Sequence, residues 1–323
     1  MSDVLVSINC VSYNHEDFIA EAIESFLMQK TNFEYEILIY DDASTDSTQE
    51  IIRRYEKKYP NVIKPIYGKV NQYSRGLKVI GSINNKRARG KYIALCEGDD
   101  YWTNPYKLQK QVDYMENNPE CTLCAHTVEK VSVKNEKIGY ERPYDKSTVC
   151  PISDMILGGG YFVGTVSLLF PRKLMENPPE FYYQSPVGDY PLQIILSSKG
   201  YTYFIDEAMA AYRVGGKGSW SKKQSTGKDK RNKQIKHANE VISMLKQFNN
   251  YTNYEYSEDI NKKIKYYEFK NAIVQRDYIT IRSNDFYNIL DIKKKFSVFI
   301  KMIFPNFYQK VYKEYIKYLL YSS

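Results

Sequence analysis

Cysteine is scarce in this sequence, five among 323 residues, and the number is odd. Cys10, Cys96, Cys121, Cys124 and Cys150 fall in apolar runs, which argues against a disulfide framework and for buried thiols in a reducing compartment. Cys121-Thr-Leu-Cys124 has no second pair to complete a zinc site, and its surroundings read as a strand with the two thiols on opposite faces. Histidine is rarer still: His15, His126 and His237 are too scattered to bind zinc. Long apolar runs are missing. Phe296–Phe304 is short and broken by Lys301, and no basic segment precedes the apolar start at Val4, so neither a membrane span nor a signal peptide is expected. A cytoplasmic location follows. Phosphate-loop spacing (G-x-x-x-x-G-K-[ST]) is absent. Gly158–Gly164 lacks G-x-G-x-x-G spacing and precedes a strand, which excludes a dinucleotide fold. There is no internal repeat.

What is present suits a globular protein: 43% hydrophobic and 26% charged residues, with a length that allows two domains. Tyrosine is abundant, 32 residues, and combines apolar area with a polar tip suited to wet clefts and interfaces. The net charge of +8 is unevenly placed. From Lys222 onward, 21 basic and 10 acidic residues give +11, which leaves −3 for residues 1–221. The excess positive charge therefore calls for an anionic partner of the C-terminal region alone.

The first hundred residues alternate strand and helix patterns. Val4–Val11, Tyr35–Tyr40, Val62–Tyr67 and Lys91–Cys96 read as strands; Phe18–Met28, Ser44–Tyr59 and Gly76–Arg89 read as helices. That order predicts an α/β fold with a mixed, mainly parallel sheet flanked by helices, in which ligands bind at the carboxyl ends of the strands. Further on, helix is expected at Pro105–Asn117 and Asp189–Ser198, and strand at Thr122–Val133, Tyr161–Phe170, Tyr201–Ile205 and Ala208–Val214. Lys134–Thr148 reads as a polar excursion. Beyond Lys228 the patterning is helical, with long helices at Arg231–Phe248 and Asp259–Ser283.

Three predicted strands end in polar clusters: Ser12-Tyr13-Asn14-His15, Asp41-Asp42-Ala43-Ser44 and Glu97-Gly98-Asp99-Asp100. The last packs three acidic side chains into four positions. They would repel one another unless a hard divalent cation with a bound diphosphate, or hydrogen-bond donors, compensated them. A helix-capping turn ahead of Pro105 fits the same residues. Tyr13 offers a flat ring for a nucleotide base, and Asp42 an acceptor for a pyrimidine imide N–H; capping by Asp42, Ser44 or Thr45 is the other use of that corner.

Taken together, Val-Ser-Tyr-Asn at 11–14, Ile-Tyr-Asp-Asp-Ala-Ser at 39–44, Gly-Lys-Tyr-Ile-Ala-Leu-Cys-Glu-Gly-Asp-Asp-Tyr-Trp at 90–102, Pro-Tyr-Lys-Leu-Gln at 105–109 and Val-Gly-Asp-Tyr-Pro-Leu at 187–192 resemble glycosyltransferase family 2 with its GT-A (Rossmann-like) fold. The resemblance covers roughly residues 2–221. It implies a donor-binding half at 1–102, an acceptor-binding half at 103–221, and a basic helical region at 222–323. It implies nucleotide-sugar binding by Ser12, Tyr13, Asn14, Asp42, Arg75 and Asp99, a divalent cation (Mn²⁺ or Mg²⁺) on Asp100 and Asp99, and a general base at Asp189. Glu97 stands where many relatives have Asp. Asp189 would also serve as a helix N-cap. Arg75, Lys78 and Lys217 are candidates to neutralise the departing diphosphate, and each also fits a solvated surface charge. Trp102 and Tyr101 suit a sugar-stacking floor or the core. Where many relatives carry a metal–diphosphate histidine after Tyr212-Arg213, this sequence has Val214-Gly-Gly-Lys-Gly, which leaves Lys217 and Trp220 as the side chains of a glycine-rich lid.

The implied activity is inverting transfer from a nucleotide-sugar, a UDP-sugar, to a saccharide or lipid-linked acceptor in surface polysaccharide synthesis. A sugar-phosphate nucleotidyltransferase would need a basic, glycine-rich loop after the first strand, which is missing. A non-catalytic glycan-binding or scaffold protein remains the other alternative. In the C-terminal third, residues 286–323 interleave Lys with Phe, Tyr, Ile and Leu, as an interfacial helix on an anionic membrane does. That would make the protein peripheral at the inner face of the cell membrane. Packing on the catalytic domain or on a second subunit, in a homo-oligomer, is the other use of such a tail. No recognition motif for nucleic acid accompanies the charge.

Overall fold

The computed structural model describes residues 4–77, 81–216 and 229–303. The chain divides into two compact units, 1–217 and 218–323.

The first unit is built on a mixed, mainly parallel sheet flanked by helices. Strands β1 (Val4–Ser12), β2 (Glu34–Asp41), β3 (Ile63–Tyr67) and β4 (Tyr92–Leu95) lie parallel in the order β3-β2-β1-β4. Central β1, Val-Leu-Val-Ser-Ile-Asn-Cys-Val-Ser, is covered on both faces: Val6, Ile8 and Cys10 have no exposed surface, nor does Ser7 on the other face. Helix α1 (Ile19–Leu27) contributes Ile19, Ala22, Ile23 and Phe26 to that core from positions one turn apart, and α2 (Thr48–Lys58) contributes Ile52. Short loops after β1 and β2 then deliver the polar clusters to one edge. Ser12 and Asp41 are register partners, and Asp41 is also paired with Tyr67.

The sheet continues through β9 (Leu169–Pro171), β6 (Cys121–Ser132) and β10 (Tyr201–Val214), with β5 (Tyr101–Trp102) pairing on β10. The polar excursion at 134–148 carries two further strands, β7 (Lys137–Glu141) against β6 and β8 (Thr148–Cys150) against β10. The helix expected at Pro105–Asn117 is α4 (Lys107–Asn117), which turns Leu108, Gln111, Val112 and Met115 inward. The helix expected from Asp189 is α7 (Asp189–Ser197).

Four expectations need correction. Within Gly76–Arg89 the described helix is only α3 (Ser82–Asn85). Asn84, fully buried, donates to Asn9 Oδ1 and to the carbonyls of Cys10 and Leu38 at 2.9–3.0 Å, so its amide serves the sheet rather than a helix surface. Tyr161–Phe170 is not one strand but a loop, a 3₁₀ turn at Thr165–Ser167 and the start of β9. Tyr201–Val214 is one strand, and register shifts at 205–210 absorb the polar Asp206-Glu207 pair that looked like an interruption.

In the second unit, helices Lys230–Tyr251 and Ser257–Gln275 pack through Val241, Met244, Leu245, Phe248, Ile260 and Ile264. The fourth correction lies here: the helix expected to run from Asp259 to Ser283 stops at Gln275. Arg276 adopts a left-handed conformation (φ 61°), and Asp277 caps a new helix, Tyr278–Ser283, by accepting from Thr280 N. Helix Ile292–Ile303 follows, and Met302 joins a small core with Phe269, Ala272, Ile273 and Ile281. No helix among the described residues is long and apolar enough to cross a membrane.

Gly90, just before β4, lies so close to β1 that a Cβ would sit 2.5 Å from Ser7 N and 2.7 Å from Val6 C. Both obstacles are main chain of the central strand and cannot step aside. Gly90→Ala is expected to cost about 1–3 kcal/mol, the usual range for overpacking. The check is a urea midpoint, and an unchanged midpoint would count against this packing.

Candidate active site

The acidic turn Glu97-Gly98-Asp99-Asp100 follows β4 directly. Three carboxylates, one from each acidic residue, present oxygens within 4.8 Å of one another. Burial of Asp100, 3% exposed, and the charges of Asp99 and Glu97 push its pKa well above the ordinary range. Glu97 reaches the solvent at the mouth of the cleft, yet the surrounding protein and the charges of Asp99 and Asp189 push it up to about 8. At neutral pH, then, the three cannot all be ionised without a compensating charge. Their all-oxygen donor set fits a hard divalent cation, which Asp100, Asp99 and Glu97 would hold.

Arg213, near the end of β10, fixes the turn from behind. It is 4% exposed; its main-chain N–H donates to Asp100 Oδ1 (2.9 Å), its Nη1 to the Asp99 carbonyl (2.6 Å) and its Nε to Asn135 Oδ1 (3.2 Å). Nη2 pairs with Glu21 of α1. The guanidinium carbon also lies 4.8 Å and 4.5 Å from the ring centroids of Phe18 and Tyr101. The sequence reading did not single out its side chain. The available signal was a lone charge in the run Ala-Ala-Tyr-Arg-Val, otherwise patterned as strand.

Gly98 packs tightly: a Cβ there would meet His15 Nδ1 and Ser12 Oγ, both at 2.9 Å. Neither of those atoms has a hydrogen-bond partner. Ser12 is fully buried beneath the turn, so its side chain does not face a ligand. His15 Nε2 lies 3.8 Å from Asp99 Oδ2, which brings an imidazole to the acidic group.

The loops after β1 and β2 are clasped together. Asn14, with φ 55°, donates its N–H to Ser44 Oγ (2.9 Å) and accepts from Thr45 N through Oδ1 (2.8 Å). His15 N donates to Thr48 Oγ1 (2.8 Å), and Ser47 N donates to Glu16 Oε2 (2.9 Å). Asn14 is thus engaged in loop structure. Asp41 Oδ1 accepts from Ser44 N and Gln49 Nε2, and holds the corner at Ala43, whose φ is 62°. Tyr13 projects from this clasp with 37% of its surface exposed.

Asp42 departs from expectation. It is 2% exposed, and its two carboxylate oxygens accept from Gln72 N (2.7 Å) and Tyr73 N (3.0 Å). In this conformation it pins the 71–77 loop, which carries the exposed Arg75, instead of presenting a free acceptor to a base. Trp102 also departs from the sugar-floor reading. It is 1% exposed, packs edge-on to Phe26 at 4.9 Å, donates Nε1–H to the Val166 carbonyl (3.2 Å) and lies under the Lys107 ammonium, 4.2 Å from its ring centroid. It is core. Burial pushes the pKa of Lys107 down to about 7, and its Nζ donates to Gln111 Oε1. Lys78, Lys217 and Trp220 lie outside the described residues.

Asp189 opens α7. Its Oδ1 accepts from Tyr190 N (2.7 Å), and a Cβ on Gly160 would lie 3.0 Å from both of its carboxylate oxygens. Burial pushes its pKa up to about 6. Its charge acts on both Glu97 and Glu141, so it stands within electrostatic range of the acidic turn and of the β7 end. The sequence-predicted residues brought to one edge are therefore Tyr13, Asp99, Asp100 and Asp189, together with Glu97. Ser12, Asn14, Asp42 and Trp102 support that edge from within.

Residues 7–150 match the family model described as Glycosyl transferase family 2. An uncharacterised protein of Mycobacterium tuberculosis is 36% identical over 226 residues, 67% of this chain and 60% of the relative, so the match spans less than two thirds of that relative's length. An Escherichia coli protein named UDP-Glc:alpha-D-GlcNAc-diphosphoundecaprenol beta-1,3-glucosyltransferase is 38% identical over 112 residues, 35% of this chain and 41% of that protein. Among solved structures, a mannosyltransferase from Pyrobaculum calidifontis in complex with GDP-Man and Mn²⁺ superposes with a TM-score of 0.57 at 14% identity, covering 98% of this chain and 85% of that one; it speaks for the fold alone. With the acidic turn, the strand order and the matched segment in agreement, residues 7–150 match glycosyltransferase family 2 and the first unit has the GT-A fold.

Proposed function

We propose that this protein transfers a sugar from a nucleotide-sugar, a UDP-sugar, to a hydroxyl of a saccharide or lipid-linked acceptor, with inversion, in surface polysaccharide synthesis. The observation that carries the reading is the approach of a separate carboxylate, Asp189, to a turn in which three carboxylates converge within 4.8 Å. The UDP-sugar and the lipid-linked acceptor are supported by the name of the Escherichia coli relative, and a divalent cation by the all-oxygen donor set of the acidic turn. In the proposed division, 1–102 binds the donor, 103–221 the acceptor, and 222–323 is a basic helical region.

Asp100 and Asp99 would hold the divalent cation, with Glu97 beside them. When bound, the cation supplies positive charge for the diphosphate that departs with the nucleotide. Tyr13 stacks on the base, and Arg75 reaches the phosphates from the loop that Asp42 secures. Asp189 accepts the proton of the acceptor hydroxyl as that oxygen attacks the anomeric carbon from the face opposite the diphosphate, which inverts the configuration. A pKa raised to about 6 makes Asp189 a better base than an exposed carboxylate while leaving it ionised at neutral pH.

Three outcomes follow. Asp189→Asn should lower kcat by roughly 10²–10⁴, the range for a lost general base, with UDP affinity retained; unchanged turnover in nucleotide-release assays would remove Asp189 from the reaction. Because the base acts deprotonated, kcat/KM should rise with pH and level off above about 6, and a nearby cation would move that midpoint downward. In calorimetry, UDP should bind more tightly with Mn²⁺ than without it, and Asp100→Asn should abolish the difference; metal-independent binding by the unaltered protein would defeat the cation assignment.

The proposed peripheral membrane location rests on helix Ile292–Ile303, where Phe296 is 62% and Phe299 is 45% exposed beside the exposed Lys294. The rest of the basic tail, 304–323, lies outside the described residues. The full chain should co-sediment with anionic but not zwitterionic vesicles, and Phe296→Ser with Phe299→Ser should weaken that association. Equal sedimentation of the double variant would refute it.

A further inference from the structure

Beside Asp189 lies a second concavity that the donor chemistry leaves unused. It has a volume of about 450 Å³, and its lining includes Lys130, Tyr140, Glu141, Arg142, Tyr161 and Phe162, from the β6–β7 hairpin on one side and the Gly158–Phe162 loop on the other. The triple glycine explains its shape. A Cβ on Gly158 would lie 2.4–2.6 Å from the Phe162 side chain, and Gly159 has φ 76°. Gly160 passes against the Asp189 carboxylate, and Gln193 of α7 holds the loop by donating to the carbonyls of Gly160 (3.3 Å) and Val163 (3.1 Å). This tight path turns Phe162 inward and leaves Tyr161 68% exposed. Tyr140 is 46% exposed.

The charges around the cleft are balanced. Arg142 is tied to Asp206 by two bonds, Nε to Oδ1 at 2.6 Å and Nη2 to Oδ2 at 2.5 Å. Lys130 Nζ lies 3.8 Å from Glu141 Oε1, a separation that leaves the carboxylate short of a direct hydrogen bond. The Glu141 side chain is 13% exposed, and burial raises its pKa against the opposing Lys130 charge. One loop runs past both carboxylates: a Cβ on Gly164 would lie 2.7 Å from Glu141 Oε2, and one on Gly160 would lie 3.0 Å from the Asp189 oxygens. Each basic group faces an acidic one, so nothing here selects a phosphate or a polyanion. Exposed aromatic rings beside a carboxylate suit a neutral polyhydroxy compound instead: the C–H faces of a pyranose lie on the rings, and paired hydroxyls donate to the carboxylate.

We propose that this cleft is a saccharide-binding subsite for the acceptor, in which Tyr161 supplies the stacking surface and Glu141 receives hydroxyl hydrogen bonds, so that the sugar's nucleophilic hydroxyl is directed at Asp189. The assignment rests on the glycosyltransferase reading for its purpose, but its physical content, saccharide binding apart from the donor, is measured independently. Saturation-transfer NMR on the full chain with saturating UDP and Mg²⁺ would use methyl β-D-glucopyranoside, galactose and N-acetylglucosamine as probes at millimolar concentration. At least one sugar should receive saturation in the presence of UDP. Tyr161→Ala should weaken its binding by about three- to tenfold, the worth of an aromatic contact, and Glu141→Gln should weaken it as well. UDP affinity by calorimetry should be unchanged in both variants, which shows that the donor side and the fold are intact. The proposal is overturned if no probe binds, if UDP displaces the sugar, or if both variants bind it as the unaltered protein does. Failure of the transferase reading would look different: no metal-dependent UDP binding by the unaltered protein, whatever the sugars do.

Discussion

Four carboxylates drawn toward one edge of a sheet would push that edge apart, and Arg213, buried behind them, ties its parts together. Its guanidinium lies between two aromatic rings, ties the Asp99 carbonyl to Glu21 of α1 and to Asn135 of the β6–β7 connection, and its main-chain N–H holds Asp100. A single side chain therefore links the end of β10, the acidic turn, the first helix and the hairpin that leads to Glu141. Its cation is directed at the carbonyl side of the turn, and the carboxylates keep their mutual repulsion. Burial and that repulsion together raise the pKa values of Glu97 and Asp100.

The rest of the site follows from topology. Parallel strands bring their carboxyl ends to the same edge, so residues from positions 13, 41 and 97–100 become neighbours. Asp189 arrives by another route, on a helix whose Gln193 and Tyr190 side chains hold the loop and helix preceding it.

The sequence disclosed most where a signal was local. The acidic turn, the strand ends and the helix from Asp189 are each contained in a few consecutive residues, and the observed fold has them there. What escaped depended on distant partners or on residues with two uses. Arg213 reaches Glu21 and Asn135, far away in the chain. Asn84 lies in a stretch patterned as helix but is a bracket across two strands, β1 and β2. Asp42 and Trp102 have side chains equally suited to a ligand or to the interior; only the positions of Gln72, Tyr73, Phe26 and Val166 decided for the interior. The stop at Gln275 turned on one left-handed residue, Arg276, that no apolar periodicity marks.

The clasp between the loops after β1 and β2 has a thermodynamic consequence. Asn14, His15, Glu16, Ser44, Thr45, Ser47 and Thr48 exchange side-chain to main-chain hydrogen bonds with no ligand taking part. The conformational entropy of these two loops, including the unfavourable left-handed turns at Asn14 and Ala43, is therefore surrendered when the chain folds. A ligand that meets the ring of Tyr13 meets a rigid corner and does not have to order it, so more of its contact energy remains as affinity.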